Sequence, residues 1–202
     1  LTVQDTVTIT DDPSSTTVCE GQDATFSVTA NGEAPLDYQW YTDASGSWSS
    51  INGATSDSYM VTDVSTSDAG DYRVEVSNSC GTKTSAAAPL TVNDTIEVES
   101  QPVSQTGCEG SDITFSATVS GDVNGYQWET DAGGSWSDIS GATNTDLTLN
   151  DISNSDEGSY RLKIDGVCAN KTTNAVTLTV QDTVTITDDP SSTTVCEGQD
   201  AT

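Results

Sequence analysis

The residues of this chain with the most chemistry to offer are its five cysteines, Cys19, Cys80, Cys108, Cys168 and Cys196, set among thirty-two Asp and Glu and not one His. A zinc site needs Cys or His ligands at short spacing, and there is no C-x-x-C here to supply them. Widely separated cysteines without His read as disulfide formers in an oxidising compartment. Catalysis has less to work with. The sequence holds no His to act as a base, no nucleophile elbow and no phosphate loop. A pair of carboxylates can hydrolyse a glycosidic bond, but nothing separates one pair from the other acids. The expectation is a non-enzyme with no required cofactor. Two binding chemistries remain. Calcium favours carboxylate and carbonyl oxygens, which makes Asp11, Asp12, Asp68 and Asp71 candidate ligands, although no D-x-D-x-D-G loop is present. Trp48 and Trp136, in a repeated G-S-W-S, offer flat apolar faces that could stack on sugar rings or cap the edge of a sheet.

Something must position these groups, and composition says what. A formal charge of -27, with only five Lys and Arg, excludes an electrostatic grip on nucleic acid or anionic lipid. The acids are spread along the chain, which favours a solvated, self-repelling surface. Thr, Ser, Val, Asp and Gly outnumber Leu, Met, Lys and Arg, a bias toward half-buried strands rather than helices. No run of eighteen apolar residues exists, so no direct membrane insertion is expected, and the first twenty residues lack the pattern of a signal peptide.

Internal repetition organises the rest. VCEGQDATFSVTA at 18–30 returns as GCEGSDITFSATV at 107–119, YQWYTDASGSWSSINGAT at 38–55 as YQWETDAGGSWSDISGAT at 126–143, and SDAGDYRVEV at 67–76 as SDEGSYRLKI at 155–164. The spacing is 89 early in the unit and 88 later, and the first twenty-five residues recur without change at 178–202. The division that follows is the end of a preceding repeat at 1–5, one domain at 6–93, a second at 94–181 and the start of a following repeat at 182–202. The expectation is a window on a longer array. Within each unit, alternating apolar and polar residues such as Ala24, Phe26 and Val28, then Tyr38 and Trp40, then Tyr72, Val74 and Val76, mark short strands separated by Gly, Asn, Asp and Ser.

GQDATFSV, YQW and YMVTDVSTSDAGDY resemble strands B, C, E and F of an immunoglobulin-like domain, with Trp40 and Trp128 as the buried strand C tryptophans and Tyr72 and Tyr160 as tyrosine corners. The D-x-G-x-Y signature occurs twice, at Asp68, Gly70 and Tyr72 and at Asp156, Gly158 and Tyr160. The resemblance implies an all-β fold of tandem immunoglobulin-like β-sandwiches in a head-to-tail rod. It departs from the usual pattern at the B and F cysteines, replaced by Val28 with Val74 and by Ala117 with Leu162. More narrowly, V-C-E-G before strand B, Y-Q-W with G-S-W and I-x-G-A-T after it, and a cysteine near the F to G turn resemble the repeats of very large surface and secreted proteins of Bacteroidota-type bacteria. Those modules serve as stalks and adhesin arms, which implies an extracellular, cell-surface location.

On that strand assignment an intradomain pairing of Cys19 with Cys80, or of Cys108 with Cys168, meets a geometric obstacle. Cys19 precedes the A to B turn, while Cys80 lies beyond the opposite end of strand F, roughly 30 Å away at about 3.3 Å per strand residue. A disulfide needs Cα atoms within about 7 Å. In a head-to-tail array the A to B end of one domain abuts the F to G end of the next, so Cys19 is expected to pair with Cys168 across the junction, and Cys80, Cys108 and Cys196 with neighbouring repeats. Bridges between fibres and free thiols are the other possibilities. Asp5-Thr6-Val7, Asp94-Thr95-Ile96 and Asp182-Thr183-Val184 resemble the acceptor tripeptide for O-glycosylation of exported Bacteroidota proteins, at Thr6, Thr95 and Thr183; an Asp-Thr pair that merely opens an edge strand is the plain reading. Asn93-Asp94-Thr95 and Asn170-Lys171-Thr172 are also N-x-T sequons. The functional expectation is a structural segment of a giant extracellular fibre or adhesin stalk, stiffened by junction disulfides. Its partners would be neighbouring repeats or identical subunits, with lateral fibre contacts between stalks. A glycan-binding adhesin module, and a filament subunit assembled by strand complementation, are the alternatives.

Overall fold

The structure is a computed structural model that describes residues 4–188 and 194–198. It contains two sandwiches of ten strands each. The first runs β1 (Thr8–Asp11), β2 (Thr16–Cys19), β3 (Ala24–Ser27), β4 (Thr29–Asn31), β5 (Asp37–Thr42), β6 (Ser49–Ser50), β7 (Ser58–Val61), β8 (Gly70–Asn78), β9 (Gly81–Thr84) and β10 (Ala88–Asn93). The second repeats it as β11 (Glu97–Ser100), β12 (Gln105–Cys108), β13 (Ile113–Ser116), β14 (Thr118–Ser120), β15 (Val123–Thr130), β16 (Ser137–Asp138), β17 (Asp146–Leu149), β18 (Gly158–Gly166), β19 (Lys171–Thr172) and β20 (Val176–Gln181). In the first, β1 pairs with β4 and β3 with β7 on one side of the core, and the order β2-β10-β8-β5-β6 forms the other, with β9 also on β8. The second sandwich has the same arrangement.

One crossing gives each unit its shape. The chain leaves β1 on one side and enters β2 on the other, where β2 runs parallel to β10 while the remaining pairs are antiparallel. The switch falls at buried Pro13 and, in the second unit, at buried Pro102. Proline has no N–H to give a ladder and so suits a break between strands. A side chain steadies each break: Asp12 Oδ1 accepts the Ala86 amide at 2.9 Å, and Gln101 Oε1 accepts the Asn174 amide at 2.8 Å.

The cores follow the alternation in the strands. Trp40 and Trp128 are fully enclosed, with Phe26 or Phe115 packed against the indole and Tyr72 or Tyr160 stacked on that phenyl ring in turn. Each indole N–H donates to a backbone carbonyl, of Ser56 at 2.9 Å and of Asn144 at 3.0 Å. Val28, Val74, Ala117 and Leu162 are buried where paired cysteines would stand in the usual pattern, so apolar packing joins the two sides of each core. Tyr72 and Tyr160 donate to the carbonyls of Asp68 and Asp156, closing both tyrosine corners. Burial raises both phenol pKa values, which keeps the donors protonated. Gly70 and Gly158 are required beside them, because a Cβ at either would lie 2.8 Å from the Cα of Ala44 or Ala132.

A pair of buried hydroxyls repairs the last strand, which is interrupted between β9 and β10. Ser85 Oγ accepts the Val74 amide at 3.0 Å, and Thr173 Oγ1 accepts the Leu162 amide at 2.9 Å, both in the middle of the core. Without the hydroxyl, a buried N–H loses its partner. Thr173→Val keeps the shape of the side chain and is expected to destabilise the second sandwich by about 1–3 kcal/mol, whereas Thr179→Val, on an exposed position of β20, should change it by less than about 0.5 kcal/mol. Denaturant titration of the two variants checks this, and equal effects would remove the hydroxyl from the account.

Candidate functional site: the disulfide junction

The parallel pairing of β2 with β10 sets Cys19 opposite Asn93, the last residue of the first sandwich's closing strand. The turn after it is held from three directions. The Gln22 side chain accepts the Cys19 amide at 3.0 Å, the Asn93 carbonyl accepts the Glu20 amide at 3.0 Å, and the Val64 carbonyl accepts the Gly21 amide at 2.7 Å. Gly21 turns at φ 81°, a left-handed conformation that costs a residue with a Cβ. C-E-G is thus a rigid presentation of one cysteine beside the point where the chain departs for the next sandwich.

Cys168 arrives from the other side, in the turn between β18 and β19. The Asp122 carbonyl accepts the amide of Val167 at 3.0 Å, and Asn170 Oδ1 accepts that of Gly166 at 3.2 Å. Asp122 also ties down the connecting segment, its carboxylate accepting the Asp94 amide at 2.8 Å. Cys19 and Cys168, 149 residues apart in sequence, are joined in a disulfide with their Cα atoms 5.7 Å apart. The bond links the A to B turn of the first sandwich to the F to G turn of the second, and Cys168 Sγ lies 3.6 Å from the Asn93 carbonyl oxygen. Neither intradomain pair is formed; Cys80, Cys108 and Cys196 are free and exposed.

Thr6 and Thr95 are exposed, each two residues ahead of a first strand, β1 or β11, rather than opening it. The next residue turns inward, with Val7 and Ile96 buried. Thr183 is exposed as well. The four candidate calcium ligands do not converge, and that expectation needs correcting. Position along the chain suggested one domain end, but Asp11 lies on the β1–β4 ladder while Asp71 lies on β8 across the core. Asp12 is engaged by the Ala86 amide and Asp68 by the Ser65 amide and hydroxyl. Among the described residues no group of three or more Cys, Asp or Glu could hold a metal ion.

Trp48 and Trp136 lie on the β5-β8 and β15-β18 faces, where an arginine covers one side of each ring: the Arg73 and Arg161 guanidinium carbons are 4.0 Å from the ring centroids. These stacks were not foreseen, although G-S-W and Y-R recur together in both units. The two faces differ beneath them. Arg161 donates to Glu129, a buried carboxylate that Lys163 also reaches at 3.1 Å. Hydrogen bonds to Asp138 and Glu129 raise the Lys163 pKa. In the first unit Tyr41 replaces Glu129, its hydroxyl donating to Glu75, and the buried Arg73 Nε has no partner among the described residues.

Strand order, core and corner define a tandem of two immunoglobulin-like sandwiches. Comparison with known proteins matches the two units to different families. Residues 8–78 match the immunoglobulin domain family, and residues 99–182 match a domain of unknown function (DUF8696). The chain is similar to the I-band fragment I67–I69 of titin, with a TM-score of 0.69 at 18% identity over 88% of this chain and 66% of that one. It is also similar to Drosophila OTK extracellular domains 3–5, at 0.61 and 20% identity over 87% of this chain and 62% of that one. The N-terminal four Ig domains of Dscam1 isoform 6.9 superpose at 0.64, with 17% identity over 89% of this chain and 47% of that one. Among curated proteins it is 31% identical over 147 residues to Endoglucanase C of Cellulomonas fimi, an overlap of 70% of this chain and 13% of that protein. The chain therefore spans less than two thirds of these relatives' own lengths.

Glu129→Gln leaves Arg161 and Lys163 without their shared anion. Both partners are partly exposed, so solvent offsets much of the loss, and the expected destabilisation is about 1–2 kcal/mol. The control is Glu99→Gln, at an exposed position, which should be close to neutral. Thermal unfolding of the two variants decides it; matching midpoints would show that the buried carboxylate adds nothing.

Proposed function

We propose that the chain is a load-bearing segment of an extracellular bacterial fibre or adhesin stalk, in which a disulfide across the junction restrains the joint between successive sandwiches. The observation that carries this reading is the Cys19–Cys168 bond. A tandem joined only by the connecting segment after Asn93 bends there. A second covalent link beside it leaves two attachment points and removes most of the hinge freedom. Stiffness matters for a projecting stalk and little for an isolated soluble domain. The charge of -27 supports the reading, since neighbouring stalks repel each other and remain dispersed. Exposed Thr6, Thr95 and Thr183 suit O-glycosylation at each junction, where bound sugar would shield the joint from proteases. Nothing in this role calls for catalysis.

The experiment compares the parent chain with Cys19→Ser/Cys168→Ser by small-angle X-ray scattering. The parent should show one narrow interdomain geometry and the double variant a broad range with a shorter mean end-to-end distance. Indistinguishable profiles would refute a stiffening role.

A second reading, a glycan-binding module, draws on the aromatic faces of Trp48 and Trp136 and on the likeness to a protein named as an endoglucanase. Titration with soluble β-glucan separates the two. A binding module changes its Trp fluorescence on sugar addition and loses the change in Trp48→Ala/Trp136→Ala, whereas a stalk does not respond.

A further inference from the structure

Resting on the stalk reading, we propose that the Cys19–Cys168 bond carries tension past both hydrophobic cores, so that the two sandwiches cannot lengthen by unfolding when they are pulled. Covalent connection sets this route. A pull applied through the chain at Gln4 and at Asp182 enters the first sandwich along residues 5–19, crosses the bond and leaves the second sandwich along residues 168–181. Residues 20–167 hang on that route as a closed loop. The loop holds β3 to β18, and with them the aromatic residues of both cores, Phe26, Trp40, Tyr72, Phe115, Trp128 and Tyr160. The two cysteines are 149 residues apart, so the bond keeps about 500 Å of extended chain out of the pull, at about 3.5 Å per residue.

The segments that remain in the route have little length to give. Residues 5–19 contain β1 and β2 and pass from one end of the first sandwich to the other. At the start the Asp5 carbonyl accepts the Asn78 side-chain amide at 2.9 Å and the Glu33 amide at 3.2 Å. At the finish β2 sets Cys19 opposite Asn93. Residues 168–181 contain β19 and β20 and cross the second sandwich in the same way, from the F to G turn to Gln181, whose carbonyl accepts the Glu109 amide at 2.9 Å. The long strands β8 and β18 have nine residues each, a height of about 30 Å before the turns are added. Either segment pulled straight reaches about 50 Å, and so gains no more than about 20 Å.

The bond also changes what the strand ladders feel. With it in place, residues 5–19 are pulled equally from both ends, and a strand in that state exerts no net force along its partner. Without it, the pull leaves the first sandwich through Asn93, at the end of β10. It then draws β2 and the parallel β10 in opposite directions, and once that pairing fails the sandwich opens. The buried cores keep the sandwiches folded, and the covalent route carries the load.

Single-molecule force spectroscopy tests this on the full chain, held by handles fused at its two ends, with Cys80→Ser, Cys108→Ser and Cys196→Ser present throughout so that no other bridge forms. The bridged chain should lengthen by no more than about 40 Å before the handles detach. Cys19→Ser/Cys168→Ser in the same background should lengthen in two steps of roughly 250 Å, one for each sandwich, more than a tenfold difference in all. Ile164→Val supplies a second readout, because Ile164 is buried inside the loop and the change weakens the second core. It should lower the force of one step in the unbridged chain and leave the trace of the bridged chain as it was. A bridged chain that gains more than about 100 Å overturns the proposal, as does a bridged trace that shifts with Ile164→Val, or an unbridged chain that stays as short as the bridged one at the same force. A rod that is stiff by scattering yet lengthens in large steps sinks this inference alone. A chain that stays short under load but scatters like its unbridged variant sinks the stiffening role and leaves the load route standing.

Discussion

Every feature of the junction depends on the parallel pairing of β2 with β10. A strand that ran only along the first side of the sandwich would finish its course away from the chain's exit. Because the chain crosses the core at Pro13 and continues beside the closing strand, Cys19 comes to rest next to Asn93, where the next sandwich begins. The second sandwich must start within a few residues of that cysteine. Its F to G turn, with Cys168, is then the nearest part of it. The crossing is held by polar side chains as well as by proline, which makes the position of Cys19 a property of the whole sandwich rather than of a flexible turn.

Moving a covalent link from the core to the joint changes what the disulfide does. A bridge between the two sides of one sandwich stabilises that sandwich against unfolding. Here Val28 with Val74 and Ala117 with Leu162 leave that task to packing, supported by the buried hydroxyls of Ser85 and Thr173. A bridge between sandwiches restrains orientation. On the stalk reading proposed above, the bridge at the joint serves the relative orientation of the sandwiches rather than the stability of either one.

The two units also show how one scaffold tolerates different electrostatics. Arginine covers tryptophan at the same place in both. Beneath it lies a carboxylate engaged by two cations in the second unit, and a tyrosine hydrogen-bonded to glutamate in the first. The stack depends on cross-strand position and ring shape, and so survives the exchange of Glu129 for Tyr41. That exchange leaves Arg73 Nε without an acceptor among the described residues.

Much of this was legible in the sequence, because strands, repeats and turns are local. Period-two alternation marks strands one residue at a time, the D-x-G-x-Y motif specifies a corner within five residues, and a repeat of 88 or 89 residues counts the sandwiches without any knowledge of their structure. Strand direction was enough to argue that Cys19 and Cys80 lie at opposite ends. The carboxylates were not legible in this way. Asp11, Asp12, Asp68 and Asp71 seemed to share an end, but the crossing between β1 and β2 sends them to different sides, and backbone amides and a serine hydroxyl occupy two of them. The same holds for Arg73 with Trp48, Arg161 with Glu129, and the hydroxyls of Ser85 and Thr173: their partners are neighbours only after strands distant in sequence have been set side by side. Local chemistry determined which elements form, while the long-range register between those elements decided which side chains meet.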